Sequence, residues 1–268
     1  MRRGGHRFQR YAGHAVDSSC CRGFRPKPGF AALTFDYRHF GESDGTPRQL
    51  ARVKGQHEDF HAAIRCARNH AGIDPERIAL WGTSLGGGHV IAVAADDPRL
   101  AAVVAQVPFN GFPRRVEGRS AMATLRLLGA MITDTVRGWM GLTPGYIRVV
   151  GLPGELAVMA SPEAQQAIDR MQSSYWRNEV APRALFEMMR YKPSARAGRL
   201  QIPVLVCIAE HDRESPAELA RQIADNAPRG ELKIYPCAHF DFYRPDVRAQ
   251  VVGDQGAFLR EHLIVDRQ

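Results

Sequence analysis

The sequence predicts an α/β fold with a mostly parallel sheet, helices on both faces and a helical insertion. Three observations predict it. Strand-like apolar runs alternate with helical patterns from Phe30 to Leu263. A glycine-rich turn, Gly82-Thr83-Ser84-Leu85-Gly86, joins one such run directly to a helix. Between Val107 and Pro203 lie 95 residues, far more than one crossover helix needs.

Each element has its own signal. Phe30–Asp36 is an apolar run and reads as a strand; Gly55–Ala71 carries a helical period. Arg77–Trp81 follows the turn signal Asp74-Pro75-Glu76 and reads as a buried strand. Leu85–Ala95, rich in Gly, Ala and Val, forms a helix that stops at Asp96-Asp97-Pro98, and Leu100–Val107 is the next strand. In the insertion, Arg119–Gly138 is helical, with apolar residues at Met122, Leu125, Leu128, Met131 and Ile132. Tyr146–Met159 reads as two short extended pieces around Leu152-Pro153-Gly154, and Pro162–Ser173 and Val180–Met189 as helices. Strand Pro203–Ala209, helix Pro216–Ala227, strand Glu231–Tyr235 and helix Val247–Leu263 complete the chain. The expected divisions are an atypical basic arm at 1–28, a core of 29–112 and 199–268, and a helical cap at 113–198.

The turn at Ser84 carries the chemistry. In a G-x-S-x-G elbow the serine sits on a sharp strand-to-helix turn, and the small residues around it let the backbone fold tightly. The following helix aims its N-terminal amides at any anion formed there, so the Leu85 amide is the candidate oxyanion donor. The plain alternative is a serine buried in a glycine-rich packing turn. A serine hydroxyl also needs a base and a group to orient that base. His239, after the strand Glu231–Tyr235, is the candidate base. Asp212 stands where the strand Pro203–Ala209 ends, the edge at which open α/β sheets place ligands, and is its candidate orienter. Glu210 and Asp241 are the alternative acids. His57, His61 and His70 read as surface residues, and His89 as a packing residue near the pocket.

Here the sequence resembles the α/β-hydrolase superfamily. The likeness rests on Phe35-Asp36-Tyr37-Arg38-His39-Phe40-Gly41-Glu42-Ser43-Asp44-Gly45, the Trp81–Gly88 elbow, Asp212 and His239, and spans about residues 29–263. A narrower likeness is to the branch of serine-aminopeptidase-like, dienelactone-hydrolase-like and polyketide-transferase or thiohydrolase proteins. It rests on Ser-Tyr-Trp-Arg-Asn-Glu-Val at 174–180 and His-Phe-Asp-Phe-Tyr at 239–243. The resemblance implies a serine hydrolase with a Ser84-Asp212-His239 triad. Its expected substrate is a small-molecule ester or thioester with an apolar acyl group. A peptidase or an acyl (polyketide) transferase is the alternative, and a catalytically impaired remnant that only binds is a second. Ser84 at the elbow excludes the aspartate nucleophile of the fold's dehalogenases and epoxide hydrolases.

In that fold, three strands and a helix normally precede the position of Phe30. The third strand lies between Phe30–Asp36 and Arg77–Trp81, and the loop after it gives the second oxyanion donor, here unassigned. Residues 1–28 show neither strand nor helix period. The expectation is a truncated or frame-shifted chain that folds marginally and hydrolyses weakly; a genuine divergent arm is the alternative.

Composition narrows the remaining classes. The formal charge of +8 is concentrated in residues 1–28, which hold seven Arg or Lys against Asp17; the rest carries 29 basic and 27 acidic groups. No basic patch for nucleic acid is indicated. No run has the length of a transmembrane helix and no apolar leader is visible, so the expected location is cytoplasmic, with no membrane partner. Cys20, Cys21, Cys66, Cys207 and Cys237 lack zinc spacing, so neither a disulfide framework nor a metal is expected. No cofactor is implied, and a homodimer is allowed. Seven of the eight methionines fall between Met122 and Met189. They fit a pliable lid over an acyl pocket, or plain helix packing.

Overall fold

The computed structural model describes residues 24–27, 30–113, 120–171 and 175–264. The centre is a four-stranded, all-parallel sheet of β3 (Ala79–Thr83), β4 (Ala102–Gln106), β7 (Val204–Ala209) and β8 (Gly230–Tyr235), in that spatial order. β4 and β7 are buried at every position, which is why they read as unbroken apolar runs rather than alternating ones.

Helices flank the sheet. On one face α1 (Val53–Arg68), α2 (Leu85–Ala94) and α7 (Ala217–Asn226) share a core of Phe60, Ile64, Leu80, Ile91, Val103, Val206 and Ile223. On the other, α8 (Pro245–Leu263) and the 3-10 turn His239–Tyr243 cover Val104, Leu205, Tyr235, Phe242, Val251 and Phe258. Each crossover returns the chain to the same edge, so the turns after β3, β7 and β8 gather there.

The front departs from expectation. Phe30–Asp36 is not a member of the parallel sheet. Only Phe30–Leu33 is a strand, β2, and it pairs antiparallel with β1 (Phe24–Lys27). Among the described residues nothing pairs with the outer edge of β3, so β2 has no neighbouring strand through which to join the sheet. Apart from 24–27, the basic arm at 1–28 lies outside the described residues, as do Cys20 and Cys21. Cys66 is disulfide-bonded, where the spacing of the cysteines suggested no disulfide framework. Pairing depends on Cα proximity in space, which spacing along the chain does not reveal. Cys207 and Cys237 are free and buried.

The segment between β4 and β7 holds α3 (Ala121–Trp139), β5 (Arg148–Gly151), β6 (Ala157–Ala160), α4 (Pro162–Met171), a 3-10 turn at Pro182–Ala184, α5 (Leu185–Arg190) and α6 (Ser194–Ala197). β5 and β6 pair with each other. The segment meets the rest of the chain through a third cluster, including Leu50, Val53, Phe109, Met131, Ile147, Leu185 and Met188.

The apolar stripe of α3 faces the wrong way for a packing stripe. Of its five residues only Met131 is buried; Met122, Leu125, Leu128 and Ile132 are exposed. The inward face is instead set by Asp134, which is buried. Arg183 donates to it from Nε at 2.7 Å and from its backbone N at 3.1 Å, and the Gly145 N–H donates at 2.8 Å. Paired this completely, a buried carboxylate anchors the helix, while removal of its partner would strand a charge. A Cβ on Gly138 would run into the Arg183 guanidinium, so the helix must pass close there.

Candidate active site

Ser84 stands between β3 and α2 with φ 53° and ψ −121°, in the half of backbone space that non-glycine residues avoid. Its neighbours impose this geometry. Ser84 N–H donates to Gln106 O at 2.9 Å, while Phe109 N–H and Gly88 N–H donate to Ser84 O at 2.8 and 3.1 Å. A Cβ at Gly82 would sit 2.2 Å from Gly86 O, and one at Gly88 would sit 2.5 Å from Phe109 O. Glycine at these positions lets the helix fold back onto its own strand and onto the exit of β4. The strain at Ser84 is maintained by contacts on both sides.

Asp212 follows β7 and is buried. Its Oδ1 accepts from the backbone N–H of Glu214 at 2.9 Å and of Ser215 at 2.7 Å. Its Oδ2 lies 2.7 Å from Nδ1 of His239, which is also buried. With both carboxylate oxygens engaged, the group is held in one orientation. Nδ1–H donates to it, so Nε2 of His239 carries the lone pair. Glu210 and His211 are exposed. Asp241 is used locally: its Oδ2 accepts from Ala238 N–H at 2.9 Å, and Arg244 lies 3.5 Å from its Oδ1. Asp212 therefore meets His239, and Glu210 and Asp241 do not. Ser84 Oγ makes no hydrogen bond among the described residues; such contacts are often long before substrate binds.

Ser84 and Leu85 line a cavity of about 540 Å³. Its walls are largely apolar and come from both parts of the chain: Phe35, Phe40 and Phe109 from the sheet side, and Val158, Met159, Leu185 and Met188 from the inserted segment. Charged rim groups come in both signs, Arg177 and Arg213 beside Glu179 and Glu214. Met159 and Met188 are thus wall residues, whereas Met122, Met140 and Met189 are exposed.

The loop after β2 forms another wall, and its shape follows from its motif. Asp36 Oδ2 accepts from Glu42 N–H at 2.9 Å, and Gly41 has φ 51° where a Cβ would overlap that carboxylate. Arg38 ties the loop to α1, donating from Nε to Asp59 Oδ1 at 2.8 Å and from its backbone N to Oδ2 at 3.0 Å.

A second polar cluster lies behind the elbow and corrects the surface reading of His57. His89, on α2, is fully buried, in keeping with its expected packing role. Its Nε2–H donates to Gln56 Oε1 at 2.8 Å, which leaves Nδ1 as an acceptor for the Tyr191 hydroxyl at 3.0 Å. His57 Nε2, partly buried, is 2.9 Å from that hydroxyl and 3.1 Å from His89 Nδ1. Burial pushes the His89 pKa down to about 3 and that of His57 down to about 4, so both are neutral near pH 7. The cluster bolts α1 and α2 to the end of the inserted segment, and Gln56 reaches the cavity wall. Helical spacing alone does not show which histidine of α1 meets another element.

An all-parallel sheet with a strained serine at the exit of its first strand and an Asp–His pair at the exits of its last two defines the α/β-hydrolase fold. Within it the chain belongs to the family described as serine aminopeptidase, S33, whose model matches residues 25–241. The quorum-quenching protein AidA of Acinetobacter baumannii (strain MDR-ZJ06) is 40% identical over 235 residues, covering 87% of this chain and 77% of that protein. The polyketide transferase ATR5 of Stachybotrys chlorohalonatus (strain IBT 40285) is 30% identical over 207 residues, 74% of this chain and 67% of that protein. The thiohydrolase aneE of Aspergillus aculeatus (strain ATCC 16872 / CBS 172.66 / WB 5094) is 29% identical over 206 residues, 72% of this chain and 63% of that protein. Among solved structures, the α/β hydrolase GrgF from Penicillium sp. sh18 superposes with a TM-score of 0.72 at 23% identity, covering 88% of this chain and 81% of that one. No helix among the described residues is long and apolar enough to cross a membrane.

Proposed function

We propose that this hydrolase cleaves an ester or thioester of an apolar acyl group through an acyl-enzyme on Ser84. The observation that carries the reading is the 2.7 Å Asp212–His239 pair at the edge where Ser84 opens into an apolar cavity. His239 Nε2 takes the Ser84 proton as Oγ attacks the acyl carbonyl. Asp212 holds the ring in the needed tautomer and stabilises the imidazolium that forms. The Leu85 amide, at the start of α2, donates to the developing oxyanion. His239 then returns the proton to the departing alcohol or thiol, and a water activated by the same nitrogen releases the acid.

The inserted segment, 113–198, serves as the cap over the acyl group, since Val158, Met159, Leu185 and Met188 close one side of the cavity. The relatives named thiohydrolase and polyketide transferase are in keeping with acyl chemistry. A peptidase reading is less well supported, because Arg177 and Arg213 stand beside the rim carboxylates that would have to bind a substrate amine. Transfer and hydrolysis differ only in the second nucleophile. A panel of medium-chain acyl esters, acyl thioesters and aminoacyl amides, assayed with and without an added alcohol acceptor, tests the reading. Ester or thioester turnover that disappears in Ser84→Ala is expected. Turnover of the aminoacyl amides alone would contradict it.

A further inference from the structure

α3 carries an exposed apolar seam with the spacing of a two-helix interface. Met122, Leu125, Gly129, Ile132, Val136 and Trp139 recur at intervals of 3, 4, 3, 4 and 3 residues, the a and d positions of a heptad. At 100° per residue they fall within an arc of roughly 100°, opposite the buried Met131 and Asp134. All six face solvent: Trp139 is 83% exposed, Leu125 62% and Ile132 52%. Leu128 and Met140 extend the strip on its two flanks and are also exposed. Asp134 and Arg183 fix the helix to its own chain from the other side, so the seam cannot turn inward without breaking that pair.

Gly129 is the diagnostic residue. A glycine in mid-helix weakens its own helix. Within this chain nothing requires it, for a Cβ there would meet no atom within 4 Å. It leaves a notch in the middle of the seam.

We propose that the seam pairs with the same seam of a second copy, antiparallel about a two-fold axis between Ala130 and Met131. That axis sets Gly129 against Ile132 of the second copy, Leu125 against Val136, and Met122 against Trp139. Every layer matches a larger group with a smaller one, and the notch receives the β-branched Ile132. A two-fold interface is self-complementary by construction. The layers also keep like charges apart, since Arg126 falls opposite Thr135 rather than opposite itself. The strip is large enough: seven large side chains exposed to this degree approach the ~800 Å² per partner that a stable interface takes. A lipid surface fits less well. Helices that lie on membranes carry a Lys/Arg-rich polar face, and α3 has only Arg126 and Arg137.

Light scattering after size exclusion of the full chain tests this. Wild type is expected at twice the chain mass and Ile132→Glu at one chain mass, with an unchanged far-ultraviolet circular dichroism spectrum because the side chain faces water in the single chain. Under mild oxidation, Leu125→Cys/Val136→Cys is expected to give a covalent dimer, and Leu125→Cys alone and wild type are not. A monomeric wild type, or a dimer that survives Ile132→Glu, would overturn the proposal. Crosslinking of Leu125→Cys alone would overturn the antiparallel register. Wild type that floats with phosphatidylcholine/phosphatidylglycerol vesicles while Ile132→Glu does not, both being monomeric, would assign the seam to lipid instead.

Discussion

α2 hides its apolar residues on every side, and even its histidine is fully buried and hydrogen-bonded. α3, almost twice as long, turns its largest apolar residues to solvent and keeps its aspartate inside. Both helices are rich in Leu, Ile, Val, Ala or Met. What separates them is neighbourhood. α2 is fed by a strand and closed over by β3, β4 and α1, so each of its faces meets protein. α3 is held from one side by the Asp134–Arg183 pair. Apolar content therefore reports that a surface must be covered, and only the elements around it say by what.

Substitutions can break that comparison at either end. The largest effect is expected at the elbow. Ser84→Ala should lower turnover by about 10⁶ with little change in melting temperature, because a hydroxyl that borders an open cavity contributes little packing. Asp212→Asn should cost about 10⁴ in turnover through the wrong histidine tautomer, whereas Asp241→Asn and Glu210→Gln should stay within about tenfold of wild type. Steady-state kinetics on one ester separates these. On α3 the equivalent blow falls on stability: Asp134→Ala leaves Arg183 unpaired and should cost about 3–5 kcal/mol in urea unfolding. Gly88→Ala should cost about 1–3 kcal/mol, since its Cβ collides with Phe109 O. Leu125→Gln, on the outer face, should change the stability of a single chain by no more than about 0.5 kcal/mol.

The buried histidines give the comparison a pH dependence. His57 and His89 have folded pKa values near 4 and 3, below the ordinary 6.5. The unfolded chain therefore takes up protons first as pH falls. Stability should be flat above about pH 6.5, decline below it, and stop declining on this account near pH 3. His57→Gln should make the decline shallower in melts recorded across that range.

The elbow turn and the Asp212–His239 contact were legible because their signals are local. Gly82, Ser84 and Gly86 form one turn, Asp212 follows a strand buried at every position, and His239 follows one whose residues alternate between polar and apolar. Helix and strand positions held to within a few residues, for the same reason. The failures are all matters of who meets whom. Phe30–Asp36 has strand composition, but a strand needs a neighbour, and β2 finds β1. The period of α3 shows an apolar stripe, but not whether the stripe meets its own chain or solvent. His57 looked like a surface residue because nothing along α1 announces that Tyr191, far away in the chain, covers it.

The central claim is that Ser84 is a nucleophile assembled by this backbone. Intact-mass and peptide mapping of the full chain after treatment with a fluorophosphonate tests it most directly. One adduct on Ser84 is expected, absent in Ser84→Ala and strongly slowed in His239→Ala. No adduct on folded wild-type protein, or an adduct at another residue, would contradict it.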